Sequence, residues 1–447
     1  MNVAVLKTKA EQALSEAFST ASAELPGSSD IRKLRLDAMG RFSALGLPTR
    51  RIEAWKYTDL RNVMKDVFPA PIGAANVTTA DVEAALGPLA SIEAHRVVFI
   101  DGRYAPDLSE LVADEVVSVA SLATLLESDT SASELLDASG RDDDAVLALN
   151  TAYAADGAVV DIAPLAALDR PVLLVFVRAA ERPSFAAIRN AVRVGEGAIG
   201  SIIEAHVTLP GAAKDFQLNV ATKVVVGKGA KLSHVKSTIE AGAGTHLSNW
   251  ITELGPDAEY RGFHFTAGAG LVRNQAGVTF AGEGANLDLS GVFLARHNEH
   301  IDTTLIIDHA VPQCVSREQF KGVLEDEARG IFQGKVIVRP DAQKTDGKQM
   351  AQVLMLSPNC EFDSKPELEI YADDVVCGHG STSADLNDDL IFYCRARGIP
   401  EHEARSLLIE SFIGEALEKI ESDDVREALA ELGRAWLHRS SPARSLA

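Results

Sequence analysis

Cysteine is scarce in this chain: four residues, Cys314, Cys360, Cys377 and Cys394, occur among 447. None of them is spaced as Cys-x-x-Cys, the pattern of zinc-ribbon and thioredoxin-like redox sites. So few cysteines in so long a chain exclude a disulfide framework of the kind found in small secreted domains. A reducing compartment, the cytoplasm, is therefore the predicted location.

Positive charge and long apolar runs are also lacking. The chain has 43 Lys and Arg against 64 Asp and Glu, a formal net charge of −21, which argues against a nucleic-acid or anionic-membrane surface. No run of 18 apolar residues occurs, and the first ten residues lack the apolar core of a signal peptide. The sequence thus predicts a protein that binds neither nucleic acid nor membrane.

The length of 447 residues predicts two or three domains. Residues 1–155 carry apolar residues at helical spacing and are predicted to be a mainly helical region. Residues 156–380 contain short β-branched runs between glycine-rich turns, and helical periodicity returns in residues 381–447. Thr382 is predicted to cap the first helix of that last domain.

A turn motif recurs through the central region. Its copies are Gly195-Glu-Gly-Ala198, Gly227-Lys-Gly-Ala230, Gly255-Pro-Asp-Ala258, Gly282-Glu-Gly-Ala285 and, in degenerate form, Glu325-Asp-Glu-Ala328. The steps between the final alanines are 32, 28, 27 and 43 residues, an imperfect repeat of strand and turn. Because no helical pattern intervenes, the predicted fold is mainly β: a right-handed parallel β-helix with helical ends, and a sandwich as the second choice.

Two glycine motifs resemble nucleotide-binding sequences and are rejected. Gly195–Gly200 matches GxGxxG, but the residues after it are predicted to form a strand, so no helix N-terminus is available for a pyrophosphate. Gly330–Lys335 has three residues between its glycines instead of four, and no Ser or Thr follows the lysine. No nucleotide is therefore expected on this chain.

The stretch with the clearest potential for metal chemistry runs from Tyr371 to Thr382 and contains Cys377 and His379. On a strand these two side chains share one face and lie roughly 6.6 Å apart. A thiolate and an imidazole suit zinc, copper or iron–sulfur chemistry, but two ligands do not close a tetrahedral site. The alternative is a buried free cysteine beside a hydrogen-bonded histidine.

Two further groups of residues are candidates. His300, Asp302 and His309 form a dense His and acid cluster that suits either a metal site or a polar ladder along a solenoid. An apolar stripe in the last domain belongs either to a helix core or to a docking face for a partner. The stripe consists of Leu407, Leu408, Phe412 and Leu417.

Several segments, in one order along nearly the whole chain, resemble the SufD family, whose members are subunits of the Suf iron–sulfur cluster assembly scaffold. The more specific segments are Lys365–Thr382, with its Cys-x-His pair, and Asp389–Ile399. The others are Leu47–Thr58, Ala148–Gly157, and His300–Thr304 with Asp308 and His309.

The resemblance implies a non-catalytic scaffold subunit in a heterocomplex. Its β-helix would pair with that of SufB, and its C-terminal helices would bind SufC, an ABC-type ATPase that hydrolyses ATP for the complex. By the same resemblance, His379 serves cluster assembly at the SufB interface and Cys377 is its neighbour. The implied cofactor is a transient Fe–S cluster; a reduced flavin, and a homodimer of the isolated chain, are left open.

A second function class is a secreted-type, carbohydrate-active β-helix enzyme that uses paired carboxylates. Such an enzyme would line a groove with acids and aromatic rings, whereas aromatic residues make up 6% of this chain. It therefore ranks behind the scaffold. The sequence leaves open whether Cys377 and His379 point into or out of the β-helix, since a bulge at Gly378 would reset the alternation.

Overall fold

The computed structural model describes residues 7–71, 76–110, 115–128, 132–137 and 141–439. Two long sheets dominate it, here called sheet A and sheet B. Sheet A contains β1 (His95–Ile100), β2 (Arg103–Tyr104), β5 (Val172–Arg178), β7 (Ile199–Thr208), β9 (Lys231–Glu240), β11 (Glu259–Gly268), β13 (Asn286–Ala295), β15 (Val315–Leu324), β17 (Asp346–Met355) and β19 (Val376–Ala384). Sheet B contains β3 (Val117–Ser121), β4 (Ala158–Ile162), β6 (Phe185–Val194), β8 (Gln217–Val226), β10 (Thr245–Leu254), β12 (Leu271–Phe280), β14 (His300–His309), β16 (Arg329–Val338) and β18 (Glu361–Ile370).

From β4 onward the chain alternates between the two sheets, and each strand pairs in parallel with the strand two places later. This alternation continues in register to β18 and β19, which gives a β-solenoid of about eight coils. The predicted parallel β-helix is confirmed, and the parallel pairing excludes the antiparallel sandwich. The rejected GxGxxG motif is the turn before β7, so a strand does follow it.

Helices cover the outer face of each sheet. They are α1 (Lys9–Ala21), α2 (Ser29–Leu45), α3 (Leu60–Val63), α4 (Thr79–Leu86), α5 (Leu122–Ser128), α6 (Ser133–Leu136), α7 (Ala145–Tyr153), α8 (Asp388–Arg395), α9 (Glu401–Leu417) and α10 (Asp423–Arg439), with 3-10 helices at Glu53–Trp55, Gly87–Ser91 and Pro106–Leu108. Helices α1, α2 and α7 pack over sheet B, and α9 and α10 fold back over sheet A. In the part of the chain that the structure describes, no helix is long and apolar enough to cross a membrane.

Three apolar layers result from this arrangement. The alternate residues of each strand that point inward fill the space between the sheets, with Leu232, Tyr260 and Leu287 as examples from sheet A. The residues that point outward from sheet A, such as Phe265, pack under α9 and α10. A third cluster joins sheet B to the N-terminal helices.

The recurring turn precedes the strands of sheet A. Its third position has positive φ, for example 67° at Gly197, 63° at Gly229 and 55° at Asp257, a conformation that glycine and aspartate tolerate better than most residues. Val311–Cys314 and Ala342–Thr345 continue the series, with positive φ at Gln313 and Lys344.

The fifth copy was misplaced. Glu325–Ala328 precedes β16 of sheet B, so it is not part of this series. The apparent step of 43 residues arose because the true copies of the turn have Gln313 and Lys344 at their third position. Glutamine and lysine rarely adopt positive φ, so these copies could not be recognised from the sequence.

The chain leaves the β-helix later than the periodicity predicted. Thr382 lies in β19, which runs to Ala384, and the next helix begins at Asp388. Its cap is Asn387, whose side chain accepts hydrogen bonds from the backbone N–H groups of Asp389 and Leu390. The predicted cap at Thr382 is therefore wrong. The domain boundaries at 155 and 380 stay predictions, with β1 to β3 joining the sheets from the N-terminal side.

Candidate functional site

Cys377 and His379 lie on β19, the last strand of sheet A. Within the sheet Cys377 is in register with Gly347 of β17, and His379 with Gln349. The same two rows continue through Ser316 and Glu318 on β15 to interior apolar residues of β13. Both side chains therefore belong to the inward face of the β-helix, at its C-terminal end, which answers the question that the sequence left open.

Cys377 is half-buried and packs against the interior apolar cluster. A Cβ added at Gly347 would lie 3.6 Å from its Sγ, so the neighbouring strand approaches the thiol closely. Burial raises the pKa of the Cys377 thiol against the opposing effect of the Gly347 N–H, and the negative charge of Asp346 adds to the rise, as does that of Glu318 when it is ionised. In this chain alone the thiol is thus held in its protonated form at neutral pH.

His379 is exposed, while the residues behind it are buried. Gln349 is buried next to it in register, and Glu318 follows one strand further in. Burial raises the pKa of Glu318 to about 8, so its carboxyl is largely protonated at neutral pH. The exposed imidazole therefore sits at the end of a column of buried polar side chains.

The pair is an incomplete metal site by itself. Among the described residues, no third histidine, cysteine or carboxylate joins Cys377 and His379 in a metal-binding group. Structural zinc and iron–sulfur sites use four protein ligands. The remaining ligands would have to come from sulfide, from solvent or from another chain.

The end of the β-helix that carries this pair is open. Among the residues that the structure describes, β18 and β19 each pair with one neighbour and are the terminal strands of their sheets. Large apolar side chains around this end are exposed, with Tyr371 at 61% and Val376 at 62%. Free sheet edges with exposed apolar residues are characteristic of a surface that pairs with another chain.

The structure separates the three secondary candidates. Asp302 is fully buried on the outward face of β14, where it forms an ion pair with Arg273 and accepts a hydrogen bond from Thr58. His300 Nε2 lies 2.9 Å from the Thr58 hydroxyl on the same face. His309 points inward instead, stacks on Phe280 and contacts the Ser316 hydroxyl at 3.1 Å.

The predicted docking stripe is also divided. Leu417 is buried beneath α9, and Leu408 and Phe412 are half-buried, with the Phe412 ring 4.4 Å from the Lys321 Nζ. Leu407 is 45% exposed. Helix α8, which packs against α9, also carries exposed apolar residues: Leu390, Phe392 and Tyr393.

A set of buried polar residues inside the β-helix was missed by the sequence reasoning. These residues lie at inward positions of β7, β9, β10 and β11 and include Glu204, His206, His234, Lys236, Glu240, His246 and His264. The available signal was their parity, since they alternate in step with apolar interior residues such as Ile202 and Leu232.

Two family models match the chain. "SUF system FeS cluster assembly, SufBD core domain" covers residues 176–412, and "SufBD protein N-terminal region" covers residues 8–174. The first corresponds to most of the β-helix and α8 to α9, and the second to the N-terminal helices and β1 to β4.

Relatives are similar over most of their length. The chain is 29% identical to the iron–sulfur cluster assembly protein SufD of Escherichia coli over 397 residues, which is 87% of this chain and 89% of that protein. It is 29% identical to an iron–sulfur cluster assembly SufBD family protein of Synechocystis over 86% of each chain. It is 23% identical to SufD of Bacillus subtilis over 90% of this chain and 93% of the other.

Proposed function

The chain belongs to the SufBD family of iron–sulfur cluster assembly proteins, and from this premise we propose that it is the D-type, non-catalytic scaffold subunit of an assembly complex. The resemblance to the SufD family is confirmed by these matches, which do not favour a carbohydrate-active β-helix enzyme. The proposal adds the partners, the site and its mode of action.

The observation that carries the proposal is the open end of the β-helix, where β18 and β19 leave their outer edges unpaired beside Cys377 and His379. A B-type subunit with the same solenoid would cover these edges and the exposed side chains of Tyr371 and Val376. The interface would then contain Cys377 and His379, which supply part of a metal site and will be called the half-site. At the other end the parallel stack finishes in the short strands β2 and β3, which run antiparallel to their neighbours.

The chemistry of the half-site fits a site completed on assembly. Iron and sulfide are the cargo that the complex builds into a cluster, so the ligands need to hold them without trapping them. His379 is exposed to the partner, and the Cys377 thiol, whose pKa burial raises, is a poor ligand until a metal ion or a cation from the partner stabilises its thiolate. Cluster binding is thereby linked to formation of the complex.

We place the docking face for the C-type ATPase on α8 and the start of α9. Four apolar residues are exposed there, Leu390, Phe392 and Tyr393 on α8 and Leu407 on α9, and Phe392 is 72% exposed. They will be called the α8 patch. Further along, α9 is held to sheet A by Lys321 with Glu415 and by Lys419 with Asp288. Movement of α8 on ATP hydrolysis would reach the β-helix directly, because only three residues separate β19 from α8.

The experiment compares iron and acid-labile sulfide per complex after anaerobic co-expression with the B-type and C-type partners. We expect the His379→Ala complex to assemble normally and to lose most of its iron and sulfide, because one cluster ligand is gone. His438→Ala, an exposed histidine on α10, is the matched control and should keep full occupancy.

Size-exclusion chromatography of each complex separates loss of the site from loss of assembly. Full iron and sulfide in an intact His379→Ala complex would remove this residue from the assembly site. The visible spectrum of the same samples tests whether a flavin is bound. Fractionation of the native cells tests the cytoplasmic location.

A further inference from the structure

Three buried residues inside the β-helix form a group that the proposed function does not use. His206 lies near the end of β7, Glu240 is the last residue of β9, and His246 is the second residue of β10. Their exposed fractions are 0%, 3% and 0%. They will be called the interior triad.

The side chains of the interior triad lie nearly close enough together to bind one metal ion. One potential ligand atom from each residue lies within 4.8 Å of the others. The Nδ1 of His246 is 3.2 Å from Glu240 Oε2, and the rings of His206 and His246 meet edge to face with centroids 4.8 Å apart. Bonds of about 2.1 Å to one ion would place the ligand atoms roughly 3.4 Å apart, so a side-chain movement of about 1 Å closes the site.

His206 provides an independent observation that points to a ligand. Neither of its ring nitrogens has a hydrogen-bond partner among the residues that the structure describes. The nearest carboxylate atom is Glu204 Oε2, 3.6 Å from Nε2, which is too long for a hydrogen bond. A fully buried imidazole without a partner is costly, so such a group in a packed interior calls for an explanation.

Glu204 lies beside the interior triad and can orient its His206 ring. One carboxylate oxygen of Glu204, Oε1, is 2.9 Å from His234 Nε2. The other, Oε2, faces His206 Nε2 at 3.6 Å and has no hydrogen-bond partner among the described residues. A small movement would let this carboxylate orient the ring, as carboxylates beside metal-bound histidines do.

Lys236 is the competing cation. Its Nζ lies 3.3 Å from His246 Nε2 and 3.0 Å from the side-chain oxygen of Asn274. The contact with Nε2 leaves Nδ1 of His246, the nitrogen next to Glu240, as the ligand atom.

A small cavity borders Glu240, one member of the interior triad. The volume open to the centre of a water molecule is about 20 Å³, enough for about one water. Its lining includes Glu240 together with Asp101, Arg178 and Gln217.

We propose that His206, Glu240 and His246 bind one divalent transition-metal ion, Fe(II) or Zn(II), in a two-histidine, one-carboxylate site inside the β-helix. This ligand set is that of non-haem iron and of catalytic zinc sites, with open positions for water. The inference does not rest on the proposed cluster-assembly role, since the triad lies about five coils from Cys377 and His379.

The test uses Co(II), a spectroscopic probe for both ions. The full chain is produced in cobalt-supplemented medium, so that the ion is present during folding, and is desalted before analysis. We expect about one cobalt per chain with visible ligand-field bands but no thiolate-to-cobalt charge-transfer band, because the triad contains no sulfur. A double variant, Cys377→Ser with His379→Ala, should keep this spectrum.

Variants of the triad and its neighbours make the result decisive. His246→Gln should abolish the spectrum, and Glu240→Gln, which preserves shape, should speed cobalt loss to a chelator about tenfold or more. Lys236→Met should slow that loss, because the competing cation is gone. Glu318→Gln, another buried interior change, is the matched control and should keep the wild-type cobalt spectrum and the wild-type rate of cobalt loss.

Circular dichroism and thermal unfolding establish that each variant is folded. Wild-type chain without a sulfur-free cobalt spectrum overturns the proposal. So does an unchanged spectrum in folded Glu240→Gln and His246→Gln, or a spectrum that disappears with Cys377 and His379.

Discussion

Glu318 is a buried side chain whose charge affects the Cys377 thiol at the C-terminal end of the β-helix. Both of its carboxyl oxygens lack hydrogen-bond partners among the described residues, and the side chain lies in the row that leads to Gln349 and His379. Burial raises its pKa to about 8. Since an ionised Glu318 would also raise the pKa of Cys377, a protonated Glu318 favours cluster chemistry at the thiol.

The raised pKa predicts a pH-dependent contribution to stability. Between the ordinary glutamate value of 4.5 and about 8, the folded chain holds a proton that the unfolded chain has released. Folding takes up this proton, so the stability from Glu318 falls as pH rises, by up to about 1.4 kcal/mol per unit. Glu318→Gln, which mimics the protonated form, should therefore gain several degrees in melting temperature over wild type between pH 5 and pH 8.

Thermal unfolding at pH 5, 6.5 and 8 measures this difference. Glu327→Gln, an exposed glutamate in the turn before β16, should show no such gain. Equal melting-temperature differences at all three pH values for Glu318→Gln would show that this carboxyl is ionised in the folded chain.

At the scale of elements, a buried ion pair fixes the N-terminal segment to sheet B. Asp302 of β14 pairs with Arg273 of β12, and the Arg273 guanidinium stacks 3.9 Å from the centre of the Trp55 ring and donates to the Ala54 carbonyl. The Thr58 hydroxyl donates to the same carboxylate. These contacts tie the 3-10 helix at Glu53–Trp55 to the outer face of the solenoid.

Asp302→Ala should release this segment. It leaves the Arg273 charge buried and unpaired, which costs about 3–5 kcal/mol. We expect faster backbone hydrogen exchange in residues 52–60 and faster tryptic cleavage after Arg51 and Lys56. The control is Asp308→Ala on the same strand, which removes an exposed ion pair with Arg339 worth about 1 kcal/mol or less. Equal loosening in both variants would show that the buried pair does not hold the segment.

The elements were predictable from sequence to the extent that local patterns decide them. The dipeptide Asp101-Gly102 is typical of a hairpin turn, and both residues have positive φ between β1 and β2. Strand alternation predicted that Cys377 and His379 share a face. Which face it is depends on register with β17, and register is set by stacking along the whole solenoid rather than by residues 375–379.

The interior triad was beyond such reasoning for a similar reason. His206 lies one coil before Glu240 and His246, and the stacking of β7 on β9, with β10 opposite, brings the three together. Polar residues at inward positions were visible in the sequence, but which of them meet depends on how the two sheets face each other. The burial of Leu417 likewise depends on the way α9 folds back on sheet A, while the docking role of the stripe stays a prediction.

At the scale of the whole molecule, the two ends of the solenoid are built differently. At the N-terminal end the sheets finish in the short strands β2 and β3, which run antiparallel to their neighbours and do not continue the parallel stack. At the C-terminal end the sheets finish in β18 and β19, which are long and parallel to their neighbours. Long parallel terminal strands suit a complex in which one partner continues the solenoid at this end.

The proposed partner surfaces are therefore separable by mutation. Tyr371→Lys with Val376→Lys places two charges on exposed residues at the open end, which should weaken binding of the B-type partner about tenfold or more through charge desolvation and lost apolar contact. Binding of the C-type ATPase should stay unchanged. Phe392→Ser should do the reverse, because it removes the most exposed ring of the α8 patch.

Each variant is the control for the other, since both replace exposed side chains at little cost in stability. Calorimetric titration of the purified full chain with each partner measures the two affinities. If Phe392→Ser weakened binding of the B-type partner, or the lysine variant weakened binding of the ATPase, the two partners would not use separate surfaces. If neither variant weakened either partner, the open end and the α8 patch would not be the interfaces, and the free edges of β18 and β19 would need another occupant, such as a second copy of this chain.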